Sequence, residues 1–230
     1  MKIERVSTDL LRLSLGPLDA VNVYVLRDIL VDSGVKFARR RLLSALAGMA
    51  IKGHVITHAH FDHQGCSHAV CGHFRVPFMC GEGDRTAAET GDLTRVLPHP
   101  GSWIAGVSRR LAGPGHPVSR SLRDGDEVGG FAVIETPGHT PGHLAFWRES
   151  DRVLVLGDVL FHRNPATMRS GLTEPPEFAS SDPRMNRAAV RKLAAMKPAV
   201  VCFGHGEPLR DSDRFAEFVR ALPDDEPPVA

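Results

Sequence analysis

The chain has 230 residues, 42% of them hydrophobic, which is enough apolar material to bury a core and excludes disorder as the default. Lysine plus arginine number 28 against 27 aspartates and glutamates, so a net charge of +1 supplies no overall field to draw the chain onto nucleic acid or an anionic membrane. No segment approaches the apolar length of a membrane span, and the opening MKIERVSTDLLRLSLG is broken by charges where a signal peptide would be continuously apolar, so a cytoplasmic protein is expected.

In chain order, short β-branched runs bounded by Gly, Pro or Asp predict buried strands at NVYVL (residues 22–26), ILVD (29–32), HVIT (54–57), FAVIETPG (131–138), HLAFW (143–147), RVLVLGD (152–158) and AVVCFG (199–204). Helical patterns lie between them. Residues 37–49 put Leu42, Leu43, Leu46 and Met49 on one face, with Arg39, Arg40 and Arg41 as a solvated flank. A helix is expected to begin near Gly65. Residues 86–125 carry little β character and contain Gly-Pro-Gly, which predicts a helical insertion over the mouth of a site. Asp182 as N-cap, Pro183 at the first helical position and a stop at Pro198 define another helix, and residues 212–222 a last one. The acidic, proline-containing end, about 223–230, is expected to fray. With no repeat and no clean linker, residues 1–230 read as one α/β domain with its sheet buried between helices. Cys66, Cys71, Cys80 and Cys202 form no CxxC pair and read as free, buried thiols.

The chemistry is concentrated in THAHFDHQG (residues 57–65), with three histidines and an aspartate in six positions. His58 and His60 are two apart, so in extended backbone both face one side and can grip one ion. Asp62 and His63 follow where the chain turns into a helix, which can aim them at a second point nearby. A closed site needs further ligands, and other strand ends offer them: His139 in TPGHTPGH, Asp158 in VLGD and His205 in CFGHGEP. A glycine precedes each of the three, allowing close backbone approach and a side chain placed at a turn. His54, His68, His73, His99, His116 and His162 stand outside this pattern, although His162, close after Asp158, is placed to line a pocket.

HAHFDH, PGHTPGH, LGD and GHG, in this order after an early VDSG (residues 31–34), resemble the motifs of the metallo-β-lactamase superfamily of dinuclear metal hydrolases over residues 20–210. The resemblance implies an αββα sandwich of two mixed β-sheets flanked by helices, with two divalent ions at one edge, zinc by preference and iron or manganese equally suited to the ligand types. It implies that His58, His60 and His139 hold the first ion and Asp62, His63 and His205 the second, with Asp158 bridging both. Asp32 and His143 are expected to support the ligands, for example by a hydrogen bond to a ligating imidazole.

The implied mechanism is hydrolysis by a metal-bridging hydroxide, with Asp62 orienting it and relaying its proton to the leaving group. The substrate is expected to be an ester, thioester or lactone of a small metabolite; no nucleic-acid or membrane partner is expected, and the oligomeric state stays open. Asp158 argues against a true β-lactamase. GDVLF (residues 157–161) is similar to the glyoxalase II branch, but HRNPATMRSG (162–171) is not that branch's glycine- and cysteine-rich turn, and too few residues follow His205 for its glutathione-binding domain. A lactonase of this family would have a pocket tyrosine after the aspartate, whereas the one tyrosine here is Tyr24. Three other readings stay open: an iron persulfide dioxygenase-like enzyme using His58, His139 and Asp158, a metal-dependent phosphodiesterase, and a non-catalytic binding module. All seven ligand positions being present argues against the last. Arg163, Arg169 and Arg184 read as surface arginines, with a substrate carboxylate or phosphate as the alternative partner.

Overall fold

The computed structural model describes residues 1–223. Strands β1 (Lys2–Ser7), β2 (Leu10–Ser14), β3 (Asn22–Leu26), β4 (Ile29–Val31), β5 (Gly53–Val55), β6 (Phe78–Gly81) and β7 (Arg120–Leu122) form one sheet in sequence order. Its first four strands pair antiparallel, and from β4 onward the pairing is parallel. Next come β8 (Glu127–Val128), β9 (Phe131–Glu135), β10 (Leu144–Arg148), β11 (Val153–Val155), a hairpin of β12 (Phe161–Arg163) and β13 (Ser170–Thr173), and β14 (Val200–Cys202). The second sheet runs β14-β11-β10-β9-β8, with only the β11–β14 pair parallel.

The two sheets face each other. Tyr24, Leu26, Val31 and Val55 of the first pack against Val133, Leu144, Phe146 and Val155 of the second in one buried cluster. Because strand side chains alternate, the opposite faces must be covered too. Leu13, Val23, Val25 and Leu30 meet Leu42 and Leu46 of α1 (Arg39–Leu46) and Val70 of α3 (Ser67–Phe74), which follows the single turn α2 (Phe61–Gln64). On the far side Ile134, Ala145, Trp147 and Leu154 meet Val190 and Leu193 of α6 (Pro183–Ala195) and Phe215 and Val219 of α7 (Ser212–Arg220). Between α3 and α6 the chain forms α4 (Arg85–Thr90) and α5 (Trp103–Leu111). The layers are therefore the expected αββα sandwich of two mixed sheets.

The Asp182 N-cap behaves as read, accepting from the Met185 N–H at 2.9 Å, and Asp211, which was given no role from the sequence, caps α7 in the same way through Arg214. Elsewhere the structure departs from the sequence reading. Strands β1, β2, β6, β7 and β8 were not expected; β1 is a largely exposed edge, and β7 and β8 are only three and two residues long, so none of these three has the apolar signature of a buried strand. Residues 86–125 are thus helical only in part, holding most of α4, all of α5 and then β7. The segment after Asp158, read as a loop, contains the β12–β13 hairpin. Apart from Pro223, the tail expected to fray lies outside the described residues. No helix among the described residues is long and apolar enough to cross a membrane.

Candidate metal centre

Beyond β5 the chain leaves the sheet in extended form, and at His60 (φ −100°, ψ 159°) it turns into α2. His58 and His60 meet His139, which follows β9, so that His60 Nδ1 lies 3.1 Å from His58 Nε2 and 3.1 Å from His139 Nε2. Thr57 sets the tautomer of His58. Its hydroxyl gives its single proton to Asp32, at 2.9 Å, and so accepts from His58 Nδ1–H at 3.0 Å, which leaves the Nε2 lone pair facing the group. Ser180 Oγ stands 3.2 Å from His139 Nδ1 in the same role. Burial, reinforced by the neighbouring imidazoles, holds His58 and His139 well below the ordinary imidazole value. His60 is likewise pushed down by burial, to about 4. All three rings are neutral donors of lone pairs at neutral pH.

The turn of α2 brings Asp62 and His63 to His205, which follows β14. Asp62 Oδ2 is 3.5 Å from His205 Nε2. Asp32 accepts from His63 Nδ1 at 2.9 Å, and the Ala20 carbonyl accepts from His205 Nδ1, so both rings turn Nε2 inward. Asp158, at the end of β11, joins the two groups. Its Oδ2 lies 3.0 Å from His205 Nε2 and 3.2 Å from His63 Nε2, and also 3.7 Å from His58 Nε2 and 3.8 Å from His139 Nε2.

Whether these residues suit cations is testable on the atoms themselves. Three triads of ligand atoms, from His58, His60 and His139, from His58, His63 and Asp158, and from Asp62, His63 and His205, each lie within 4.8 Å of one another. His60 Nε2, His63 Nε2 and Asp158 Oδ1 are buried without a hydrogen bond in the protein, which costs free energy unless an ion satisfies them. Burial opposes the charge on Asp158, yet His205 and His63 outweigh it and hold the carboxyl well below its usual range. In return Asp158 raises both rings above the ordinary imidazole value against their own burial. The carboxylate collects protons where a dication would replace them. The glycines keep this space open: a Cβ on Gly204 would fall 2.0 Å from Asp158 Oδ1, and Gly157 (φ +60°) passes so close that a Cβ would meet His143 Nε2 at 2.7 Å. No cysteine belongs to these groups; all four are free and buried, and burial pushes Cys66, Cys71 and Cys202 up to about 12.

Of the two expected supporting residues, Asp32 does bond a candidate ligand imidazole. It adopts a left-handed conformation (φ 61°), held by the Thr57 N–H at 2.7 Å. His143 differs: its Nε2 accepts the Asp158 backbone N–H at 3.1 Å while Nδ1 bonds Thr136 Oγ1 at 2.8 Å, so its hydrogen bonds position the carboxylate's turn, and it meets candidate ligand imidazoles only by ring contact, as in its stacking on His58 at 5.1 Å. Sequence reasoning missed Asp84. Fully buried, it accepts from Ala59 N–H, Thr140 Oγ1 and Gly142 N–H, each at 2.7 Å, and so fastens the His58/His60 loop to the His139 loop. Burial pushes its carboxyl up to about 6 against those three donors. Also missed was the brace under His205: Tyr24 donates to the Phe203 carbonyl at 2.7 Å, and Asn22 to Gly206 O at 2.6 Å, beside the buried Arg12. Polar residues inside a strand otherwise read as apolar were the one available signal for Asn22.

A cavity of about 260 Å³ opens onto the centre, bordered by His60, Asp62, His139, Asp158 and His205. Residues from the 86–125 segment and from the stretch after Asp158 complete its wall. None of Arg163, Arg169, Arg184 or His162 lines it; Arg163 donates to Met168 O within its own hairpin, and His162 Nδ1 bonds Glu207 O.

Comparison with known proteins places this geometry. The model of the metallo-beta-lactamase superfamily matches residues 16–205. The probable metallo-hydrolase YflN of Bacillus subtilis (strain 168) is 28% identical over 181 residues, covering 70% of this chain and 67% of its own. A hydroxyacylglutathione hydrolase of Methylococcus capsulatus is 32% identical over 114 residues, which are 47% of this chain and 34% of that protein. The crystal structure of TTHA1623 in a di-iron-bound form superposes with a TM-score of 0.68 at 27% identity, covering 90% of this chain and 96% of that one.

Proposed function

From the premise that this chain belongs to the metallo-beta-lactamase superfamily of metal-dependent hydrolases and carries His/Asp clusters suited to divalent ions, we propose that it is a dinuclear hydrolase cleaving an ester, thioester or lactone of a small metabolite. The observation that carries the reading is Asp158 Oδ2, one oxygen within 4 Å of ring nitrogens from both groups. His58, His60 and His139 would hold one ion and Asp62, His63 and His205 the other, with Asp158 in reach of both. Zinc is the first choice, with iron or manganese compatible with the same ligands. Bound there, the ions supply a water deprotonated near neutral pH and polarise a carbonyl oxygen.

The chain's own residues do the rest. Asp32, Thr57, Ser180 and the Ala20 carbonyl fix which nitrogen of His63, His58, His139 and His205 faces the centre. Asp84 and His143 fix the loops that carry those rings and Asp158. Asp62, the most exposed of the candidate ligands and part of the cavity wall, orients the hydroxide and, once it has added to the acyl carbon, takes its remaining proton and passes it to the departing alkoxide or thiolate. The acyl carbon gains the water oxygen, and the leaving group departs with the proton. A cavity of about 260 Å³ suits a small molecule as partner.

The test is elemental analysis followed by hydrolysis assays on the same sample. Two ions per chain with turnover of a thioester, ester or lactone support the proposal. One iron per chain with oxygen consumption, or turnover limited to phosphodiesters, would overturn it.

A further inference from the structure

Two large aromatic side chains stand in solvent at the mouth of the cavity: Trp103 is 68% exposed and Phe178 44%. Folding does not bury them, and an exposed pair of this kind needs another reason to be apolar. They come from separate parts of the chain, the start of α5 and the turn at Glu177–Ala179, and their ring centroids are 5.5 Å apart. Both rings border the cavity, and their contact forms a lintel on its exposed rim. Leu97, Ile104 and Phe161 belong to the same apolar wall, and the Phe161 ring meets those of His139 and His205 with centroids 6.4 and 4.9 Å apart. Apart from the candidate ligands, Ser108 is the one polar side chain on that wall among the described residues, and no lysine or arginine lines it.

We propose that this wall is an acyl-chain subsite: the substrate's acyl part is an uncharged, apolar group that lies under the Trp103–Phe178 lintel with its carbonyl toward Asp62 and Asp158. The inference rests on the hydrolase reading above and adds the substrate's chemistry to it. A tail bearing a carboxylate, such as a succinyl group or a glutathione-like peptide, meets no cation here and leaves water without compensation. A hydrocarbon tail gains from transfer out of water, roughly two- to threefold per methylene at a partly open site.

The metal-loaded protein is assayed with thioesters of one thiol carrying acetyl, butyryl, hexanoyl and succinyl groups. The expected result is kcat/KM rising a few tens of fold from acetyl to hexanoyl, on the order given by the per-methylene gain. Succinyl falls at least about tenfold below butyryl, the scale of an uncompensated buried charge. In Trp103→Ala and Phe178→Ala the hexanoyl-to-acetyl ratio collapses toward one, and Trp103→Phe restores most of it, which separates loss of the subsite from loss of the fold. Independently of turnover, a medium-chain methyl ketone should shift Trp103 emission to the blue in the wild-type protein and not in Trp103→Phe; Trp147, already buried, serves as the internal reference. Acetyl and hexanoyl hydrolysed alike, or succinyl as fast as butyryl, would overturn the subsite and leave the hydrolase standing. The ketone shift without turnover of any ester, thioester or lactone would overturn the hydrolase reading and support the subsite. Neither shift nor turnover overturns both.

Discussion

Replacing Asp32 by asparagine should unload one ion and spare the other. In the wild-type protein Asp32 Oδ1 accepts the Thr57 N–H at 2.7 Å, Oδ2 accepts His63 Nδ1–H at 2.9 Å, and the Thr57 hydroxyl bonds both oxygens. An asparagine with its oxygen in the Oδ1 place keeps the Thr57 N–H bond and the 3.1 Å bond from the Thr57 hydroxyl, which thereby still accepts from His58, and loses only the hydroxyl's bond to Oδ2; asparagine also tolerates the left-handed backbone at φ 61°. Its amide then presents N–H to His63 Nδ1, where a carboxylate stood. His63 must accept at Nδ1 and carry its proton on Nε2, the atom that faces Asp158 and the second group. Loss of such outer support lowers metal affinity by about 10- to 100-fold, or roughly 1.4 to 2.7 kcal/mol. The His58, His60 and His139 group keeps its Thr57 and Ser180 contacts and should bind as before. Titration of metal-free protein with zinc against a chromogenic chelator reads both affinities. The expected outcome is one tight site and one weakened by about one to two orders of magnitude. Two unchanged sites, or equal loss at both, would refute the tautomer argument.

Three further outcomes follow from the same geometry. Gly204→Ala puts a Cβ where Asp158 Oδ1 lies, 2.0 Å away, so the shared carboxylate must move; metal content measured by elemental analysis should fall while circular dichroism keeps its mixed α/β shape. Asp84→Ala leaves two buried N–H groups and a hydroxyl unpaired, at about 1 to 3 kcal/mol each if no relaxation occurs; urea unfolding should show a loss of several kcal/mol, and an unchanged midpoint would show that Asp84 does not fasten the two loops. His54 is held down by burial from 6.5 to about 4, so the unfolded chain binds its proton first as pH falls through that window. Stability from this residue is intact at pH 7, declines from about 6.5 and is gone below about 4, by about 3 kcal/mol in all; in urea midpoints at pH 7 and pH 4.5, His54→Leu should have the shallower pH slope.

The sandwich and the gathering of the candidate ligands were legible because they rest on strong local signals. Strands buried on both faces read as unbroken Val/Ile/Leu runs, as at residues 152–158, and the glycine before each distant ligand marks a place where backbone and side chains crowd. Edge and short strands escaped because their burial is incomplete: β1 alternates with solvent, and β7 gains its place from pairing with β6 and not from its own composition. The supporting polar residues escaped for another reason. Asp84 lies in GEGD and Arg12 in the charged opening segment, neither next to a metal-binding motif, so the sequence assigned no role to either. Only the approach of loops far apart in sequence makes one a fastener of Ala59 to Gly142 and the other a buried contact of Gly206. His143 shows the intermediate case, since its closeness to the site was readable but its partner, the Asp158 backbone N–H, was not.

The central claim is that Asp158 is shared by two ions that together supply hydrolysis. It is tested most directly by metal stoichiometry measured on wild type and Asp158→Ala, alongside thioester turnover by the same samples. Two ions per chain in the wild type, with joint loss of metal and turnover in the variant, is the expected result. A wild type that holds a single ion, or a variant that hydrolyses at the wild-type rate, would contradict it.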